Sequence, residues 1–165
     1  MFDLSDLENI TYKDTGTIEG YSTSLTEFSG GFLLGIGVGG WQNTAKIEIY
    51  EEGEDTVSSV AVFECIGTIA SDYKCHFIDR DGGFIGITVS NYKPITHGNP
   101  SEYQEAAFIL LAFDGADLSV VRAVPLEGLG SSVIFFVRAF IEDGYLDLVS
   151  DRGLEVISLS GAFGG

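Results

Sequence analysis

The chain is poor in basic side chains, and this shortage excludes several classes of partner. Lys and Arg number 8 against 25 Asp and Glu, so the formal net charge is −17 at pH 7. A surface of this sign repels the phosphate backbone of nucleic acids and the anionic headgroups of membranes. The sequence contains no cluster of Lys or Arg that would form a local exception. We therefore expect no nucleic-acid partner.

Long apolar runs are also missing. The longest, Ala106–Phe113, has the length of a strand and falls short of the ~20 residues that cross a bilayer as a helix. The start, Met1–Phe2–Asp3–Leu4–Ser5–Asp6, lacks the basic and apolar regions of a signal peptide. We expect no signal peptide in this chain and no direct membrane insertion. A hydrophobic content of 45% with only 3 prolines excludes a disordered tail.

Cysteine and histidine are scarce, which limits metal sites and catalysis. Cys65 and Cys75 are the only cysteines and lack a CxxC spacing, so no metal site is predicted. A disulfide between them and two buried thiols both remain open. His76 is predicted to be a hydrogen-bonded core side chain, and neither His76 nor His97 has the sequence context of a nucleophile elbow.

Two motifs resemble ligand loops but lack essential parts. The run Gly35–Gly40 is followed by Trp41–Thr44 and a strand, whereas a dinucleotide loop requires a helix N-terminus behind its glycines. The turn Asp79–Gly82 begins like a calcium loop but lacks the later ligands. We predict no cofactor, no bound metal and no catalytic residue, and hence no enzyme.

Strand patterns occupy the chain instead of helical ones. The 22 glycines interrupt it too often for long amphipathic helices, while Ala45–Tyr50 alternates as a half-buried strand does. Twelve strands are predicted, near residues 15–19, 22–28, 31–38, 44–50, 57–63, 75–79, 83–91, 104–113, 118–125, 132–141, 144–149 and 153–158.

Internal repetition groups these strands. Three segments share a glycine, an aromatic residue and then a branched aliphatic residue, at Gly31–Ile36, Gly83–Thr88 and Gly144–Val149. In addition, Phe2–Leu7 matches Phe113–Leu118 at four of six positions. Four-stranded units that repeat in this manner are typical of β-propeller blades.

The predicted fold is therefore all-β, a partial β-propeller of about three four-stranded antiparallel meander blades. The chain forms a single propeller segment over 1–165, with blades near 15–50, 57–113 and 118–158, and residues 1–7 end a preceding blade. A β-sandwich is the alternative, since it also has short strands at regular spacing. The prediction depends on equivalent positions for Phe32, Phe84 and Tyr145 in successive blades.

A family resemblance agrees with this fold. Phe2–Asp6, Gly20–Thr23 and Leu33–Gly37, in that order, together with the closing segment Leu148–Val156, resemble secreted bacterial and archaeal proteins that carry a C-terminal β-propeller distantly related to WD-repeat propellers. The resemblance implies an extracellular or cell-envelope location and a longer parent protein. Because three blades cannot close a ring, it also implies self-association through exposed blade edges.

Topology gives one candidate binding surface. In repeated blades the loops that join third to fourth strands lie on one face, and these are Gly39–Asn43, Asn91–Glu102 and Ser150–Arg152. Long loops on a rigid scaffold often carry function, and aromatic residues are common anchors. The predicted binding residues are Trp41, Tyr92, His97 and Tyr103. Packing of Trp41 and Tyr103 against neighbouring blades is the alternative.

The predicted function is a non-enzymatic binding or scaffold module with an unidentified protein or glycan ligand. The alternative is a fragment of a propeller enzyme, a hydrolase or lyase, whose catalytic residues lie mostly in blades outside this chain. A carboxylate pair near His76 would favour the enzyme. A central channel lined only by Gly, Ser and aliphatic residues would favour binding.

Overall fold

The computed structural model describes residues 2–3, 7–12, 20–40, 43–54, 56–94, 104–126, 137–150 and 153–160. These residues form strands and two short 3-10 turns, at Ser29–Gly31 and Tyr73–Cys75. Every strand pair among them is antiparallel. The predicted all-β antiparallel class is confirmed.

The strand positions agree closely with the sequence patterns. The strands of the described residues are β1 (Phe2–Asp3), β2 (Thr11–Tyr12), β3 (Tyr21–Glu27), β4 (Phe32–Val38), β5 (Thr44–Glu52), β6 (Val57–Ile69), β7 (Phe77–Asp79), β8 (Phe84–Pro94), β9 (Gln104–Phe113), β10 (Leu118–Pro125), β11 (Arg138–Glu142), β12 (Tyr145–Ser150) and β13 (Gly153–Ser158). Eleven of the twelve predicted segments overlap an observed strand, and the segment 15–19 lies outside the described residues.

One large sheet joins most of the described strands, in the order β10-β9-β8-β6-β5-β4-β3 with β7 paired to β8. The long strand β6 changes its partner along its length. Residues 57–66 pair with β5, and residues 65–69 pair with β8. Strands β11, β12 and β13 form a separate small sheet. Strands β1 and β2 pair with each other, so residues 2–3 belong to a two-stranded ribbon.

The large sheet folds over on itself. In the sheet order β4 and β9 are four steps apart, which is roughly 19 Å in a flat sheet at ~4.8 Å per step. Yet the ring of Phe32 in β4 lies 5.2 Å from the ring of Phe113 in β9, and that of Phe28 lies 6.2 Å from it. The two halves of the sheet therefore face each other, with the shared strand β6 between them.

Two apolar cores follow from this arrangement. The inner core fills the fold of the large sheet and consists of Phe28, Leu34, Ile36, Ala45, Ile47, Ile49, Ala61, Cys65, Ile85, Ile87, Val89, Tyr92, Ala107, Ile109 and Leu111. The outer core lies between the other face of the large sheet and the small sheet, and consists of Ala70, Cys75, Ala106, Phe108, Leu110, Val124, Leu126, Val137, Leu146, Leu148 and Leu159. The two cysteines are free thiols, one buried in each core.

The repeated Gly-aromatic segments share local geometry but not surroundings. Gly31, Gly83 and Gly144 all have positive φ, at 87°, 71° and 77°, a conformation that glycine adopts without steric cost. The aromatic residue after each begins a strand. However, Phe32 packs against the inner core and Phe84 against the outer core, while the Tyr145 side chain is exposed. The repetition thus reflects a common turn. The propeller prediction depends on equivalent positions for Phe32, Phe84 and Tyr145, and these are not observed.

The predicted blade limits do not coincide with the limits of sheets. Strands β5 and β6, on either side of the limit between 50 and 57, pair over nine positions. Strands β9 and β10, on either side of the limit between 113 and 118, pair over seven. A sequence pattern locates strands and turns, but whether neighbouring hairpins continue one sheet depends on contacts between distant residues. The propeller arrangement is therefore not confirmed in the described residues.

The Phe28–Phe32–Phe113 contact gives a stability prediction. Phe113→Ala removes the ring that connects the two halves of the large sheet, and we expect it to lower the free energy of unfolding by about 3 kcal/mol. Urea unfolding followed by circular dichroism measures the loss. Phe140→Ala, at a ring that is 57% exposed on the small sheet, is the matched control and should cost much less. Equal losses for the two variants would contradict the folded-over packing.

Candidate functional site

A cavity of about 390 Å³ lies where β6 passes from one half of the large sheet to the other. It is at the Val38 end of β4, opposite the Phe32 end that holds the phenylalanine contact. We call it the bend cavity. Its described lining consists of Thr23, Ser24, Gly37, Val38, Asn43, Thr44, Ala45, Gly67, Thr68, Ile69, Ala70, Ser71, Tyr73 and His76.

The described lining of the bend cavity offers hydrogen bonds without formal charge. Hydroxyl groups come from three strands and from the turn that follows β6, and they alternate with aliphatic side chains. Among the described lining residues there is no Asp, Glu, Lys or Arg. Cavities of roughly 300–1,000 Å³ with apolar walls and a few placed polar groups are typical of small-ligand sites. The arrangement suits an uncharged ligand.

His76 is the imidazole in this lining, and it is held neutral. Its Nε2 atom lies 3.0 Å from the carbonyl oxygen of Ala70. Because that oxygen only accepts, Nε2 carries the hydrogen and Nδ1 remains an acceptor. Burial lowers the pKa of His76, and the Ala70 carbonyl and nearby Asp72 oppose the shift without cancelling it. The predicted hydrogen bond of His76 is confirmed, but the side chain is half-buried instead of lying in the core, and it lines the cavity.

A second, adjoining space of about 320 Å³ shares Asn43, Gly67 and Thr68 with the bend cavity. It brings Asn43 and Asn91, from two of the three predicted binding loops, to one place. Gly67 donates its N–H to the Asn43 carbonyl at 2.7 Å. At φ 140° Gly67 lies in a backbone region that L side chains rarely adopt, and a Cβ there would approach the Ser90 carbonyl oxygen to 2.7 Å. A glycine is therefore required where the sheet bends.

Of the four predicted binding residues, Trp41, His97 and Tyr103 lie outside the described residues. The fourth, Tyr92, is 5% exposed and belongs to the inner core. Asn91 has a positive φ of 53°, which interrupts the alternation of β8, so Asn91 is exposed and Tyr92 turns inward. The alternation seen in the sequence does not reveal such a local change of backbone.

A buried ion pair forms a second polar site, which the sequence analysis missed. Lys46 and Glu48 on β5 are 6% and 3% exposed, whereas the alternation of Ala45–Tyr50 predicts a half-buried strand. Lys46 Nζ lies 2.5 Å from Glu48 Oε2, and the Tyr50 hydroxyl donates to the same oxygen at 2.7 Å. Ser22 Oγ lies 3.5 Å from the Tyr50 hydroxyl. These side chains lie on the face of β5 that is turned away from the inner core.

Glycines on the neighbouring strand leave room for these side chains. Gly37 pairs with Lys46 and Gly35 pairs with Glu48, so β4 presents no side chain beside either group. A Cβ at Gly35 would lie 2.8 Å from the Tyr50 ring. The ring therefore needs the space that the missing side chain leaves. The signal that could have revealed the site is the pair of glycines at alternate positions of β4, opposite an alternating Lys and Glu.

The electrostatics of the cluster indicate an ion pair whose charged groups are satisfied within the cluster. Burial favours the neutral acid at Glu48, but hydrogen bonds from Lys46, Ser59 and Tyr50 outweigh it, so the pKa of Glu48 lies below its usual value. Burial and the adjacent carboxylate raise the pKa of Tyr50 to about 12. At neutral pH a Lys⁺–Glu⁻ pair and a neutral phenol satisfy one another. The cluster links β5 to Ser22 on β3 and to Ser59 on β6, and its described groups are paired with one another.

The ion pair gives a pH-dependent prediction. Lys46→Met leaves the Glu48 carboxylate buried without its cation, and we expect a loss of about 3 kcal/mol in the free energy of unfolding at pH 7. The loss should be smaller near pH 4. In the parent chain the lowered pKa of Glu48 favours the ionised pair as the pH falls, whereas in the variant protonation of the buried acid removes the unpaired charge. Urea unfolding at both pH values measures this.

The double variant Lys46→Met/Glu48→Leu is the control. Because it removes both charges, it should recover most of the stability lost in the single variant. A loss in Lys46→Met that is the same at both pH values would contradict the buried pair.

In the described part of the chain no group of three or more His, Cys, Asp or Glu side chains is arranged to hold a metal ion. That part also contains no helix with the length and apolarity needed to span a membrane. No protein-family model matches the chain, and neither a curated protein nor a solved structure shows significant similarity to it.

Proposed function

We propose that the chain is a non-enzymatic binding module that holds a small uncharged ligand in the bend cavity. The observation that carries the proposal is the described lining, which combines hydroxyl groups, Asn43 and a neutral His76 with aliphatic walls and no formal charge. Such a lining matches a ligand with hydroxyl groups and apolar faces. The terminal unit of a neutral glycan has this chemistry.

Two features of the rim support a glycan. The Tyr73 side chain is 73% exposed beside the cavity and offers a flat apolar surface to a sugar ring. Val38 and Asn43, which lie on the two sides of Trp41 in the sequence, are both part of the lining. The net charge of −17 also disfavours an anionic ligand.

The enzyme alternative needs an acid or base that works with His76. Asp72 is the nearby carboxylate in the described chain, but it accepts from the Lys74 N–H at 3.0 Å and lies 3.8 Å from Arg138. Its interactions are those of a cap for the Tyr73–Cys75 turn. The His76 Nε2 hydrogen is also committed to a backbone carbonyl. We therefore favour binding over catalysis.

The wider setting of the module is part of the same proposal. The resemblance described above supports an extracellular or cell-envelope protein whose further domains lie outside this chain. In its more specific form, the proposal is that the chain is a propeller segment that self-associates through blade edges. What supports that form is the small three-stranded sheet that packs face-on against the large one.

Ligand binding can be tested with neutral methyl glycosides, measured as chemical-shift changes in ¹⁵N–¹H spectra. We expect at least one glycoside to shift the amides of Asn43, Thr68 and His76, with a dissociation constant in the millimolar range or tighter. Thr68→Trp places an indole at an exposed position that lines both cavities and should abolish the shifts.

Ser58→Trp is the matched control, because Ser58 is an exposed residue of the same strand at its other end. It should leave binding unchanged. If no glycoside shifts the lining residues, or if Thr68→Trp has no effect on the shifts, the proposed site is wrong. Hydrolysis of a glycoside that is lost on His76→Gln would favour the enzyme instead.

A further inference from the structure

The small sheet has one face that is exposed among the residues the structure describes. Along β12 the residues Leu146 and Leu148 point into the outer core, so the alternate positions point away from it. The register of β11, β12 and β13 places five large apolar side chains on that outward side. We call it the outer apolar face, and it consists of Phe140, Tyr145, Val149, Leu154 and Val156.

These side chains form one continuous surface. Val149 lies directly opposite Leu154 across the β12–β13 ladder. In the central row Asp147 lies between Phe140 on β11 and Val156 on β13. Phe140, Leu154 and Val156 are 57%, 62% and 55% exposed, so none of the three supports a core. Contiguous exposed apolar surface on a domain is typical of a protein interaction site.

The charge of the outer apolar face indicates which kind of partner it attracts. The central Asp147, Glu142 opposite Tyr145 at the end of β11, and Asp143 in the adjacent turn make the face acidic. The guanidinium of Arg138 at its rim is already in contact with Asp72, at 3.8 Å, and with the Cys75 thiol, at 3.3 Å. A second copy that docked by this same face would bring its own Asp147, Glu142 and Asp143 against these carboxylates, so the face disfavours contact with itself. A cationic partner is attracted.

The size of the face limits what covers it. Three strands at ~4.8 Å spacing and six residues at ~3.4 Å give an area of roughly 15 by 20 Å. That is smaller than the ~800 Å² per partner that two globular domains bury in a stable complex. A short segment of chain matches it better than a second domain does.

We propose that the outer apolar face binds a short basic segment of another protein, in which apolar side chains alternate with Lys or Arg. Its apolar side chains pack between Phe140, Tyr145 and Val156, and a cation pairs with Asp147 in the centre of the face. The interaction is independent of the bend cavity, which lies on the large sheet.

Three labelled synthetic peptides test the proposal by fluorescence anisotropy at an ionic strength of about 0.15 M, where long-range attraction is screened. One alternates Lys with Val, one alternates Lys with Ser, and one alternates Glu with Val. We expect the Lys-Val peptide to bind, and the other two to bind at least about tenfold more weakly, a difference of roughly 1.4 kcal/mol.

Variants then locate the binding. Phe140→Ser/Val156→Ser and Asp147→Asn should each weaken the Lys-Val peptide by about fivefold or more. The matched controls are Val62→Ser/Val120→Ser, two valines that are 49% and 48% exposed on the large sheet, and Asp81→Asn in an exposed turn. These controls should bind as the parent chain does. Thermal melts verify that every variant is folded.

Three results would overturn the proposal. Equal binding of the Lys-Ser peptide would show attraction to net charge alone. Equal effects of the face variants and their controls would place the peptide elsewhere. Absence of peptide binding, together with dimers in sedimentation velocity that Phe140→Ser/Val156→Ser abolishes, would assign the face to a second copy of this chain.

Discussion

The folding over of the large sheet on the inner core is the constraint on which the other features depend. Two halves of one antiparallel sheet bury aliphatic side chains against each other, and β6 belongs to both because it pairs with β5 along one stretch and with β8 along the next. Strands that pass from one layer to another do so at bulges or bends. Here the register shifts between Ile66 and Thr68, and Gly67 adopts a backbone conformation that side chains resist. The same bend leaves the space that becomes the cavity.

Glycine has a second role in this fold, because it leaves space where another residue would place a side chain. Gly35 and Gly37 leave room on the far side of the large sheet for Lys46, Glu48 and Tyr50 to lie flat and close their hydrogen bonds. Because each charge would be costly to bury alone, the three groups are mutually dependent. The cluster of Lys46, Glu48 and Tyr50 is thus structural, because its polar groups are paired with one another. The bend cavity, whose polar groups are uncharged, is the site suited to a ligand.

The two proposed contacts use different chemistry because the two sheets have different faces. The large sheet encloses its apolar face, and the corner at Gly67 opens to a cavity lined by hydroxyl groups. The small sheet has one face in the outer core and leaves the other apolar and acidic. The two proposals therefore place an uncharged small ligand and a basic protein segment on different sheets. Both assignments agree with a non-enzymatic module in which rigid strands present two surfaces.

The sequence by itself determined the local structure. Alternation and glycine turns located eleven strands and excluded long helices, because side-chain periodicity and positive-φ turns are properties of neighbouring residues. It also identified His76 as a hydrogen-bonded side chain and pointed to the loops that contain Asn43 and Asn91. The tertiary structure alone decided which hairpins continue one sheet, that Phe32 and Phe84 enter different cores, and that Tyr92 turns inward. These outcomes depend on contacts between residues far apart in the chain and on single backbone angles, and neither leaves a periodic pattern in the sequence.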